Sequence, residues 1–323
     1  MVKFFLRRFF SLIPVIIIIS IMLFGIFKAM PGDPVKLMIP AGVKTEELRQ
    51  YYYDTIKARL GLDKSLPEQY VRWMYNTMQG DFGVSTSFQR PVTEVIATPL
   101  VNSIRLNVFV LVFSFLVSIP VGIRSAVKRH SLFDSFWQVF SLVGLSMPVF
   151  FIGLIFIYVF AITLRLLPGG GMPFMLKGDW TDILAWARYM TLPVITLTIG
   201  SLAGTIRYVR NAMIEIISKD FIRTARSKGL SEKVIIYSHA FKNALIPVVT
   251  LVAGSLVGLF GGAAITETIF AWNGIGYVLI QALNQRDYMV VLTMNMFYAV
   301  LTLSANIIMD IGYALVDPRV KLK

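Results

Sequence analysis

The chain has 323 residues, 56% of them hydrophobic and 15% charged, with a mean hydropathy of +0.69. Soluble domains carry about a quarter charged residues, so the composition excludes that class and marks an integral membrane protein. The formal charge is +13 and cysteine is absent, which excludes disulfides, thiolate metal sites and cysteine nucleophiles.

Apolar runs near the ~18–20 residues that cross a bilayer as helix place six spans at about 9–27, 104–123, 136–164, 190–209, 244–266 and 289–311. The first reads as a retained span, not a cleavable leader. Its run is too long, and no small-x-small site precedes Pro31-Gly32-Asp33-Pro34. With the N-terminus inside, the inner segments hold 17 of the 31 basic residues and 6 of the 18 acidic ones, a net +11. The outer segments are left with +2. The basic excess is therefore a topology signal that puts both termini in the cytoplasm, not a nucleic-acid footprint.

Residues 1–28 form the N-terminus and first span, with Pro14 near its start. Residues 29–103 form the only sizeable external segment, and its pattern is helical. Thr45-Glu46-Glu47 opens one helix, with acids in the first turn. Ser65-Leu66-Pro67-Glu68 fits a capping box for a second, which Gly80 ends. Tyr70, Trp73, Met74 and Tyr75 between them are packing residues or interfacial aromatics.

Residues 104–311 hold the other five spans. Pro148 predicts a kink in the third. Leu167-Pro168-Gly169-Gly170-Gly171 is a turn, not a phosphate cradle, because no Gly-Lys-Ser/Thr follows. Gly200 and Gly204, and then Gly254, Gly258 and Gly262, recur at four-residue intervals and predict close helix packing.

No catalytic or metal-binding constellation is present. Walker, H-E-x-x-H and G-x-S-x-G patterns are missing, and His130 and His239 stand without ligands at metal spacing. The spans hold almost no ionisable residue, with Asp310 the nearest case. Ion-coupled carriers usually need such groups at mid-depth, which argues against a self-contained secondary carrier. A membrane enzyme has no candidate site. Uphill transport would need energy from another subunit.

Between spans four and five lies a basic, amphipathic loop, 211–243. Ile217, Phe221 and Ala225 fall at i, i+4 and i+8 with Ile222 beside them, while Lys219, Arg223 and Arg226 take the other face. Gly229 is placed to end this helix in a left-handed turn, with Leu230 making the capping contact. Ser231 then caps a second helix through Val234, Ile235 and Tyr237. Basic amphipathic helices also bind anionic lipid, so a membrane-surface anchor and a protein-docking element both remain open.

Arg223-Thr224-Ala225-Arg226-Ser227-Lys228-Gly229-Leu230, followed by His239-Ala240-Phe241-Lys242-Asn243-Ala244-Leu245-Ile246-Pro247, resembles the cytoplasmic EAA loop of bacterial ABC importer permeases of the dipeptide/oligopeptide family. Gly80-Asp81-Phe82-Gly83-Val84-Ser85, Glu267-Thr268-Ile269-Phe270, Arg286-Asp287-Tyr288 and Tyr313-Ala314-Leu315-Val316-Asp317-Pro318-Arg319 extend the resemblance over essentially the whole chain. The long external segment is similar to that of B-type subunits.

The resemblance implies an all-α, six-span permease of a bacterial inner or plasma membrane, with a cytoplasmic tail at 312–323. It implies a heterodimer with a second permease, two cytosolic ATPases that bind ATP and magnesium, and an extracytoplasmic binding protein. This chain itself would hold no cofactor. Asp220, Phe221, Arg223, Thr224, Ala225, Arg226, Lys228, Gly229 and Leu230 become the ATPase-docking turn. Short peptides are the implied cargo, with nickel complexes, glutathione-like peptides and oligosaccharides as alternatives. Thr196, Thr198, Ser255 and Asn295 are the candidate wall of a path between this chain and its partner.

Two departures from the family pattern stand out. Arg223-Thr224-Ala225 replaces the more common Glu-Ala-Ala, so a carboxylate contact to the ATPase is not implied. Asn273 stands where proline is expected before Gly274, leaving the geometry of that turn open.

Overall fold

A computed structural model describes the chain except for residues 1, 30–32, 34, 37–38, 41, 60, 174–182 and 317–323. The described residues are mostly helical and divide into two compact units. Unit 1 comprises residues 1–100 and 278–304, and unit 2 comprises 101–277 and 305–323. The expected tail at 312–323 lies largely outside the described residues.

Unit 1 begins with α1 (Val2–Ala29), whose stretch Phe10–Ala29 is long and apolar enough to cross a membrane. Its sides present Ile13, Ile17, Ile18, Ile21 and Ile26, as expected of a helix facing lipid. Two helices follow, α2 (Glu46–Arg59) and α3 (Leu66–Met78). Glu68 reaches back to accept from the Ser65 amide at 3.3 Å, and Pro67 occupies the first turn. Gly80, with φ +82, turns the chain beyond the end of α3. Tyr70 and Trp73 of α3 pack on Phe24 of α1, with centroids 5.6 and 5.8 Å away. The Tyr70 and Ser20 hydroxyls share a 2.8 Å hydrogen bond.

The Gly80–Ser85 and Arg286-Asp287-Tyr288 motifs meet in this unit. Asp287 is fully buried and accepts from the Ser85 hydroxyl and from the Ser87 amide at 3.0 Å. It thereby joins the loop before α4 (Val92–Val127) to the start of α13 (Tyr288–Val316). A buried carboxylate taken up by hydroxyl and amide donors is satisfied without a counter-ion.

Unit 2 contains most of α4, then α5 (Leu132–Ser146) and α6 (Val149–Phe156), the last continued by a π-helical stretch, Ile157–Thr163. The predicted kink is present. The two helices meet at 101°, with Met147 and Pro148 in the break between them. Proline lacks an amide donor and disfavours helix in the residue before it, here Met147 in extended conformation. α7 (Ile183–Ile217) follows, then α8 (Asp220–Ser227) and α9 (Glu232–Val234). A π-helical stretch, Ile235–Phe241, leads into α10 (Lys242–Gly258). α11 (Ala264–Ile269) and α12 (Ile275–Asn284) complete the order, α12 continuing into unit 1.

Four described helices are long and apolar enough to cross a membrane, or five when the bent pair counts as one span. The expected span at 244–266 differs from the sequence reading. Its helix has 17 residues and ends at Gly258, where Gly258, Gly261 and Gly262 make the chain turn. Gly262 adopts φ +61, a conformation open to glycine but costly for residues with Cβ. Gly254, Gly258 and Gly262 therefore do not form one helical stripe. The last part of the expected external segment 29–103 belongs to α4, which is already helical from Val92.

Candidate functional site

α8 is eight residues long, too short to persist as an isolated helix in water. Its position is set by Ile222 and Ala225, exposed by 0% and 6%, which enter a core with Val209 and Met213 of α7. Ile235, Ala240, Ala244 and Val248 from the following helix, and Ile123 and Ala126 from α4, close the same core. One short element thus shares a core with residues of three longer helices. Full burial of one isoleucine contributes about 1.5–3 kcal/mol.

The buried face differs from the one the sequence pattern suggested. Ile217 belongs to α7, and the helix restarts at Asp220 after a break at Ser218 and Lys219. That break rotates the register, so Ile222 and Ala225 point inward while Phe221 is 45% exposed. Leu230, expected to cap the helix by packing, is 41% exposed instead. Arg223, Thr224 and Lys228 are also exposed, giving a face with two apolar side chains among cations.

The turn itself follows the sequence. The Gly229 amide donates to Arg226 O at 2.9 Å, and the Leu230 amide to Ala225 O at 3.4 Å. These are the paired bonds of a Schellman end, and Gly229 supplies the left-handed residue at φ +76. Arg226 crosses the turn to Glu232, donating Nε to Oε1 at 2.7 Å and Nη2 to Oε2 at 3.3 Å. The guanidinium holds the Glu232 carboxyl below its usual range, and the carboxylate raises Arg226 in return. Asp220 pairs with Arg223 at 3.4 Å within the helix. Arg226 is thus occupied as a clamp between α8 and α9.

A second brace lies in unit 2, on α7. Arg210 grips Asp134 in the first turn of α5, with Nε to Oδ1 at 2.7 Å and Nη2 to Oδ2 at 2.8 Å. Asp134 also accepts from the His130 amide at 3.0 Å, and its own amide donates to the Ser131 hydroxyl. Only 4% of the Asp134 side chain and 12% of Arg210 are exposed. This bidentate pair fixes the 128–131 turn against α7.

A third polar knot holds the turn after α10. Glu267 is 1% exposed and accepts from the Ser103 hydroxyl at 2.7 Å, the Ala263 amide at 3.1 Å and the Tyr277 amide at 3.0 Å. The Ser103 oxygen in turn accepts from the Ile275 amide at 2.8 Å. A Cβ on Gly274 would overlap both the Glu267 and Ser103 oxygens, so glycine is required there. Asn273, in place of the expected proline, offers its carbonyl to Asn102 Nδ2 at 2.9 Å. Trp272 is buried beside it and donates Nε1 to Asn102 O at 3.3 Å.

The remaining candidates are dispersed. Thr196 and Thr198 are buried on α7, and Thr196 Cγ2 is 3.3 Å from where a Cβ on Gly153 would lie. Ser255 and Asn295 are half-buried and donate to the carbonyls four residues back, Leu251 and Val291. Gly200 lies against Val149, whose Cγ2 a Cβ would meet at 2.6 Å, whereas nothing approaches Gly204 within 4 Å. Among the described residues no three acidic or histidine side chains gather to hold a metal.

Comparison with known proteins decides what this helical frame is. Residues 118–322 match the family described as "Binding-protein-dependent transport system inner membrane component". Residues 1–98 match the corresponding N-terminal family of membrane components. The chain belongs to the binding-protein-dependent transport permeases. It is 36% identical over 346 residues to the dipeptide transport system permease protein DppB of Escherichia coli, covering 100% of both chains. It is 35% identical over 322 residues to the oligopeptide transport system permease protein AppB of Bacillus subtilis, covering 99% of this chain and 100% of that one. The inward-facing MetNI methionine ABC transporter has a chain of similar fold, with TM-score 0.52 and 17% identity over 71% of this chain and 98% of that one.

In this permease the sequence located the turn at Gly229, but not the buried contacts of Asp134, Glu267 and Asp287. Asp134, Glu267 and Asp287 entered the reading only as charges or motif letters. The available signal was an isolated acid bordering apolar sequence, where an ionisable group must find partners or be expelled.

Proposed function

We propose that this chain is the membrane permease subunit of an ATP-driven importer of short peptides, with α8 as the docking element for a separate ATPase subunit. The observation that carries the reading is the division of α8 into two faces. Ile222 and Ala225 are locked into the ends of α4, α7 and α10, while Phe221 and Leu230 remain exposed among Arg223 and Lys228. Exposed apolar side chains with Lys228 and the Asp220–Arg223 pair nearby in sequence fit a groove with an apolar floor and a polar rim. Movement of such a groove would be passed through Ile222 into the long helices. Arg210 and Asp134 would carry it on to α5.

The peptide cargo is supported by the relatives named as dipeptide and oligopeptide permeases. Peptides would arrive on an extracytoplasmic binding protein. ATP with magnesium would be bound and hydrolysed by two partner ATPases, not here. A homologous permease would complete the pair, with six spans in each, both termini cytoplasmic, and α10 to α11 serving as the fifth crossing. Ser255 and Asn295, the half-exposed candidates, remain our choice for the path wall; crosslinks placing them against lipid would remove them.

Reconstitution in vesicles tests the reading. Uptake of a labelled tripeptide should require the binding protein, this chain, its partner permease and both ATPases with ATP inside the docking side. Uptake by this chain alone, without ATPase, would overturn it.

A further inference from the structure

Unit 1 carries a cavity outside the site described above. Two adjoining hollows of about 100 Å³ and about 270 Å³ share Phe27, Lys28, Leu62, Gln69 and Tyr288 in their walls. Lys28 is in the last turn of α1. Its ammonium lies 5.4 Å from the Phe24 centroid and 5.9 Å from that of Phe27. It makes no ion pair within 4.0 Å with any described carboxylate. The first hollow is also lined by Gln69 and Thr86, whose Oε1 and Oγ1 are buried without a partner among the described residues. The Gln69 amide nitrogen is already committed to Lys64 O at 2.7 Å, leaving the oxygen as the uncommitted end of the side chain.

A half-buried cation with no carboxylate within ion-pair distance, in a hollow also lined by Asp33 and Lys57 of opposite charge, lies beside an acceptor lacking a donor, a pair of unmet polar demands. An occupant that satisfies both carries a negative charge, a hydrogen-bond donor and hydrocarbon. We infer that this cavity binds one phospholipid, its phosphate on Lys28, a headgroup donor on Gln69 Oε1, and an acyl chain running along Phe24 and Leu292.

Depth favours a lipid over a peptide. Ser20, which touches Tyr70, lies eight residues before Lys28 on α1, about 12 Å along the helix toward the membrane centre. Lys28 is thus at the headgroup level at which α1 leaves the hydrocarbon, and the α3 contact lies below it. α3 agrees with that level. It has no fully buried residue, and Val71, Tyr75 and Met78, at helical spacing, are 64%, 61% and 77% exposed. Such a stripe is stable against acyl chains and costly against water. A peptide with two charged termini has no favourable place for its inner end at that depth.

Native mass spectrometry of the full permease complex, titrated with 1-palmitoyl-2-oleoyl phosphatidylglycerol, tests the inference. Wild type should retain one lipid and prefer it to phosphatidylcholine, whose headgroup has no donor. Lys28→Met should weaken retention about tenfold, as expected for a lost charge-assisted hydrogen bond. Lys28→Arg and the exposed control Lys44→Met should stay near wild type, and Gln69→Leu should keep binding but lose the preference over phosphatidylcholine. Unchanged retention by Lys28→Met, or an unchanged preference in Gln69→Leu, would overturn the site. Displacement of the lipid by trialanine would make it a peptide site, and equal binding of glycerol 3-phosphate would make it a phosphate site; either result overturns the assignment.

Discussion

Replacing Ile222 by alanine removes three carbons from a side chain that is 0% exposed in the core beneath α8. Substitutions of this kind cost about 2–5 kcal/mol in transfer and cavity terms. α8 has eight residues and only two fully inward side chains, Ile222 and Ala225. Nearly all of the lost energy should therefore appear as local opening of α8, not global unfolding. Taking the low end, about 2 kcal/mol raises the open population about 30-fold. Hydrogen exchange on the detergent-solubilised complex reads this directly. Amides of 224–230, which include the Gly229 and Leu230 donors of the turn, should exchange about 30-fold faster in Ile222→Ala. Amides in the middle of α7 should be unchanged. Equal protection of the turn in wild type and variant would refute the claim that Ile222 anchors it.

Phe221→Ala should leave that protection within about twofold, because Phe221 is outside the core, yet weaken ATPase binding about tenfold or more, measured by titrating the purified ATPase. Glu267→Gln should destabilise the complex by about 1–3 kcal/mol in thermal unfolding, because an amide N–H₂ would then face the Ser103, Ala263 or Tyr277 donors. Ser103→Ala should cost less than Glu267→Gln, and the double variant should be less than additive. The Arg226–Glu232 clamp has a defined pH window. Glu232 is depressed in the folded protein by its guanidinium partner, so the clamp's contribution is present above the ordinary carboxylate range and is lost as pH falls through the lowered value. Turn protection, corrected for intrinsic exchange, should therefore be flat from about pH 6 to 8 and fall only below about pH 4. A step near neutrality would assign it to another group.

The helices and the turn at Gly229 were legible because they rest on local rules. Hydropathy marks spans, Pro148 marks the bend, and Gly229 marks a left-handed end. The face of α8 was not legible, because a two-residue break at Ser218 and Lys219 resets the helical register, and periodicity carried across it misassigns Phe221. The fifth span was read too long for a similar reason. Residues 244–266 are apolar throughout, but hydropathy does not register the backbone turn that Gly262 makes. Weak polarity alone does not tell that Thr196 is buried beside Gly153, which only the packing shows. The Ser103–Glu267 and Ser85–Asp287 pairs join residues 164 and 202 positions apart, beyond any pattern visible in a single chain.

The central claim is that α8 docks an ATPase through its exposed face while its buried face holds the permease. Co-purification of the complex from cells expressing all of its subunits tests this most directly, comparing wild type, Ile222→Val and a Phe221→Ala/Lys228→Glu variant. The account predicts that ATPases accompany wild type and Ile222→Val, and are lost from the double variant, while the second permease is retained by all three. ATPases recovered equally with the double variant would contradict it.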